Sequence, residues 1–94
     1  MHGVRIPDGH APTNAGEYAW MPYAEWSHKP PFFTGDGEWH LVAPDGRIGA
    51  IRERDGAPTH TWVIHDDGSV TFSPSLVMPS GWHGYLERGV WRSC

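Results

Sequence analysis

The chain holds one cysteine, Cys94, so no disulfide can form within it, and a small secreted scaffold held by bridges is excluded. It has no apolar run near the ~20 residues that a membrane-spanning helix needs. Its opening stretch, Met1 to Asp8, lacks the charged and apolar regions of a signal peptide, and the expected location is the cytoplasm where the protein is made. A basic excess is missing too: seven Lys plus Arg stand against eleven Asp plus Glu, for a net charge of −4 with neutral histidines. A nucleic-acid-binding face needs a basic stripe that displaces counterions from phosphate, so no nucleic acid is expected as partner, and no membrane. With 94 residues the chain is long enough for one modest core and too short for two, which makes 1–94 a single domain.

Catalytic sets are also wanting. Ser75 and Ser80 lie beside prolines with no nucleophile elbow around either, and Cys94 has no base fixed near it. No glycine loop precedes a helix to cradle phosphate. Glu38 and Glu87 fit the solvent side of alternating strands better than an acid and base pair. The expectation is a protein that is not an enzyme and takes no cofactor.

What is present is turn chemistry and aromatics. Asp-Gly pairs recur at 36, 45, 55 and 67, and such pairs tolerate the positive φ of tight turns. Around Asp66-Asp67-Gly68, the runs His60 to His65 and Ser69 to Ser73 alternate apolar with polar residues, a hairpin signature. Pro44-Asp45-Gly46 joins Glu38–Ala43 to Arg47–Arg54 as a second hairpin, weakened by Gly49. Leu76 to Met78, Trp82 to Glu87 and Val90 to Arg92 complete the set. The expected fold is mostly β: a small antiparallel meander of about six short strands, closed as a rolled sheet, barrel or sandwich. Its expected core is Trp62, Ile64, Phe72, Trp82, Leu86 and Trp91. Residues 1–37, broken by Pro and Gly, read as an arm packing on a 38–94 meander. Asn14 and Glu17 hint at one short helix, limited by Pro22, and Gly35-Asp36-Gly37 reads as a break before the first strand.

The run Trp62, Asp67-Gly68, Val70-Thr71, Pro74-Ser75-Leu76, His83-Gly84-Tyr85-Leu86, Gly89 and Trp91 resembles a family of small uncharacterised proteins of bacteriophage and prophage genomes. The resemblance covers about the last third of the chain and implies a phage-type accessory protein. Cysteines before the first tryptophan and before the histidine give that family the look of a zinc site. Here Ser80, Gly81 and Trp82 stand where the later cysteine is expected, and no cysteine lies upstream, so that ligand set does not carry over.

Three places could carry function. Tyr18, Trp20, Met21, Tyr23, Trp26, Phe32 and Phe33 crowd into sixteen residues, broken by Pro22, Pro30 and Pro31. Burial over the sheet would explain them, whereas exposure would make Trp20, Tyr23, Trp26, Phe32 and Phe33 an anchor for a protein partner, such as a bacterial host protein. Alternatively, His40, His65 and His83, with Asp66, could meet across strands to hold a metal ion. No His-x-His or His-x-x-x-His pair supports this locally, and His83 between aromatic neighbours can equally lock the sheet. Third, Val90 to Arg92 could offer an open edge to a second copy, giving a homodimer or a self-assembling structural protein.

Overall fold

Period-two alternation cut by glycine turns produces ten strands in the computed structural model, which describes residues 1–94. They are β1 (Val4–Arg5), β2 (Glu17–Pro22), β3 (Phe33–Val42), β4 (Ile48–Arg54), β5 (Ala57–Pro58), β6 (Thr61–Ile64), β7 (Val70–Ser73), β8 (Leu76–Val77), β9 (His83–Glu87) and β10 (Val90–Ser93). A single 3-10 turn, Tyr23–Glu25, is the only helical element. Strands β1 to β5 form a five-stranded sheet in sequence order, β8 to β10 a three-stranded sheet, and β6 with β7 a two-stranded ribbon. The pairings are antiparallel except for β1 with β2, which run parallel. No helix is long and apolar enough to cross a membrane.

The large sheet is covered on both faces. On one, Tyr18, Trp39, Leu41 and Ile51 meet Val70, Phe72, Leu76, Leu86 and Trp91 from the smaller sheets, and together these form the core. Trp39 is its centre, packed edge-on against Trp20, Trp62 and Phe72 at ring separations of 5.4, 6.3 and 5.4 Å. Over the other face runs the segment between β2 and β3, with Tyr23 and Phe33 buried against it.

Several expectations change. The chain has ten strands rather than about six, because residues 1–37 are not an arm: they supply β1, β2 and the start of β3. A boundary at 37/38 would cut β3 in two. Glu17 does not begin a helix. Its carboxylate accepts the backbone N–H groups of Thr13 and Asn14, closing a turn that launches β2. Ile64 is not core. It is 52% exposed, since β6 pairs with β7 alone and lies at the margin of the fold, where Val63 is also exposed. Trp62 and Trp82 are half-buried and pack against the core from outside it. The edge of β10 is not open, because the Trp91 N–H donates to the Met1 carbonyl, His2 bridges to Val90, and Gly3 N–H reaches the Gly89 carbonyl. A second copy has no free ladder to join there.

Candidate functional site: an aromatic cleft beside a strand bulge

Gly35-Asp36-Gly37 lies within β3, not before it. From Thr34 to Trp39 the chain takes five steps while its partner β4 takes two, from Glu53 to Ile51. The surplus is a wide bulge, and glycine makes it possible twice over. Gly35 sits at φ +83°, a left-handed conformation unfavourable to other residues. Gly37 lies so close to β2 that a Cβ there would stand 2.5 Å from the Met21 carbonyl oxygen and 2.7 Å from the Trp20 ring. Bulges redirect side chains at sheet margins, and this one lifts Asp36 to the rim of a cleft.

That cleft has a volume of about 440 Å³, within the ordinary range for ligand sites. Its walls are the indoles of Trp20, Trp39 and Trp62, with Ile64 at one end. Trp20 and Trp62 lie 5.8 Å apart with their planes tilted by 50°. Around them stand three carboxylates, Asp8, Asp36 and Glu53, against one cation, Arg5. Arg5 lies over the Trp39 ring at 5.3 Å, donates to the Gly68 carbonyl at 2.9 Å and pairs with Asp8 at 3.5 Å. The ion pairs of the chain use Asp8 and Glu38, so Asp36 and Glu53 carry uncompensated charge. Trp39 Nε1 is the one buried side-chain donor with no hydrogen-bond partner, whereas the Trp91 indole N–H donates to the Gly16 carbonyl.

On the opposite face of the sheet, the side chain read as solvent-facing, Glu38, is completely buried. Its carboxylate accepts the Tyr23 hydroxyl at 2.9 Å, Arg52 through two nitrogens at 3.1 and 2.8 Å, and His40 Nε2 at 2.7 Å. Burial pushes the carboxyl up, but the bonds from Arg52, His40 and Tyr23 outweigh it and hold the group below the ordinary 4.5. Burial and the neighbouring Glu38 push the Tyr23 hydroxyl up to about 12. The cluster is closed by Trp26, whose ring lies 6.3 Å from His40, and by Phe33 beneath the Arg52 guanidinium at 4.4 Å. Every acceptor on Glu38 is used, so this cluster serves to fasten the 23–33 segment to the sheet. An unfolded tyrosine releases its proton near 10, whereas folded Tyr23 holds it to about 12, so the folded state binds more protons between those values and stability falls as pH rises through them. Urea midpoints measured at about pH 9 and about pH 11 are expected to drop between the two, and Tyr23→Phe is expected to make the drop shallower. Tyr18, also raised by burial, leaves a residual slope.

The expected partner-binding set is therefore divided. Tyr23 and Phe33 are buried at 8% exposure each and belong to the fastening described above; Trp26 is half-buried over His40, and Phe32 is exposed at the outer end. Of the five, only Trp20 lines the cleft. The three histidines are not brought together: His40 bonds Glu38, His65 bonds the Thr71 hydroxyl at 2.7 Å, and His83 bonds the Ser75 hydroxyl at 3.0 Å. No three His, Cys, Asp or Glu side chains are grouped as a metal ion would require. Trp62, Asp36 and Glu53 were not singled out as site residues from sequence, and the signal that could have found Asp36 is its position between two glycines. No protein-family model, curated protein or solved structure matches the chain.

Proposed function

We propose that the protein is a non-enzymatic binding protein of the phage-accessory type, acting in the cytoplasm of a bacterial host by holding a host protein in the cleft of Trp20, Trp39 and Trp62. One observation carries the reading: the half-buried indoles of Trp20 and Trp62, backed by the buried Trp39, line an open cleft beside Asp36 and Glu53, which have no ion-pair partner within the chain. Tryptophan walls supply large contact area at low entropic cost, and unpaired rim charges supply orientation. The expected result is that one protein from a bacterial lysate is retained by the wild type and lost by Trp62→Ala, with circular dichroism confirming that the variant is folded. Equal retention by both, or no retention by either, would refute the assignment.

A further inference from the structure

We propose that the cleft receives the ammonium end of a lysine side chain presented by the partner protein, an inference that rests on the binding reading above and names what enters. Charge decides the sign of the guest. Three carboxylates face one guanidinium, and that guanidinium is already engaged with Asp8, Gly68 and the Trp39 ring. The unbalanced charge lies on Asp36, within the bulge of β3, and on Glu53 of β4, which pairs with Thr34 where the bulge begins.

The walls suit a cation as well. Indole faces attract positive charge through their quadrupole, and the cleft already shows this with its own Arg5 on Trp39. Trp20 and Trp62 are themselves packed together, 5.8 Å apart and tilted by 50°, so the wall they form is angled and offers no slot between parallel planes. A planar guanidinium stacks best against parallel surfaces and bonds best to one carboxylate through its fork, and neither is offered here. An ammonium is compact and has three rotatable donors, so it can reach two separate carboxylates, while its alkyl stem lies along Trp62 and Ile64.

The extended edge beside the cleft fits a protein source for this lysine. Because His65 N–H bonds the Ser69 carbonyl, the alternation of the ladder turns the main-chain groups of Trp62 and Ile64 away from β7. A segment lying along that edge would project alternate side chains into the cleft.

The test is a titration of isotope-labelled protein with the capped pentapeptide Gly-Gly-Lys-Gly-Gly, read at the indole N–H resonances of Trp20 and Trp62. A matched peptide with norleucine in place of lysine keeps the stem and removes only the charge, and choline represents a free small cation. The expected result is saturable shifts with the lysine peptide and affinity about tenfold lower for norleucine, the scale of one cation on an aromatic face. The double variant Asp36→Asn, Glu53→Gln is expected to lose affinity to the same degree. No shift with the lysine peptide, equal affinity for norleucine, or preference for choline would overturn the proposal. If the double variant still captures the lysate protein that Trp62→Ala loses, the binding reading survives and the lysine assignment falls. If no lysate protein is captured while the lysine peptide binds as expected, the cation chemistry stands and the binding reading falls.

Discussion

Glu38→Ala is expected to lower the unfolding free energy by about 3 kcal/mol near neutral pH. Breaking a buried charge pair by removing one partner costs ~3–5 kcal/mol, because the other partner is left uncompensated. Arg52 and His40 each keep roughly a quarter to a third of their side-chain surface exposed, so water absorbs part of the loss and the lower end applies. The Tyr23 hydroxyl has no such relief, being buried with Glu38 as its only partner. For a domain whose total stability is about 5–15 kcal/mol, the change is a large fraction, and urea unfolding at equal protein concentration measures it. The pH dependence has a definite sign. Since the folded carboxyl titrates below 4.5, its contribution is complete above that value and is lost as pH falls through the lower folded value. Glu38→Gln is therefore expected to start from lower stability at neutral pH and to lose less on acidification than the wild type. An acid limb of equal steepness in both proteins would contradict the assignment of that charge.

Gly37→Ala is expected to cost about 3 kcal/mol, the upper end for an overpacked site. The added methyl would meet the Met21 carbonyl oxygen at 2.5 Å, and a backbone atom within a paired strand cannot step aside as a flexible side chain does. On its other side it would meet the Trp20 ring at 2.7 Å. One consequence is thermodynamic and the other local: the indole must swing away from Trp39 and Trp62, which spoils the cleft wall. The indole N–H resonances of Trp20 and Trp62 are expected to move with the substitution. A variant with wild-type stability and unmoved indoles would show that β2 and β3 are not held as closely as described.

The hairpins were legible because their signals are local. Asp66-Asp67-Gly68 and Pro44-Asp45-Gly46 specify turns whatever surrounds them, and the flanking alternation sets the strands. β2 was obscured by its setting, with Gly16 before it and Pro22 at its end, although Tyr18 and Trp20 already showed the two-residue period. Glu38 was placed on the correct strand with its parity right, since it does face away from Trp39. Charge suggested that this face met water, and nothing local announces that the 23–33 segment returns to cover it. Gly35-Asp36-Gly37 carries the same chemistry as a turn, and only the pairing of β3 with both β2 and β4 decides for a bulge. The cleft was invisible for a related reason: Trp20, Asp36, Glu53 and Trp62 come from four strands, and no periodicity links them.

The bulge also separates two functions along one strand. Beyond it, Trp39 to Leu41 are locked between β2 and β4, with Trp39 and Leu41 in the core; before it, Phe33 and Thr34 answer only to β4. Core spacing is fixed by the first half, while the reach of the rim depends on the few glycine-flanked residues between the halves. Loop length in this chain is thus stored inside a strand, where a lineage or a designer could lengthen or shorten the lip of the cleft without repacking Trp39. The geometry of the cleft rim would then be set by the number of residues at 35–37 rather than by the tryptophans themselves.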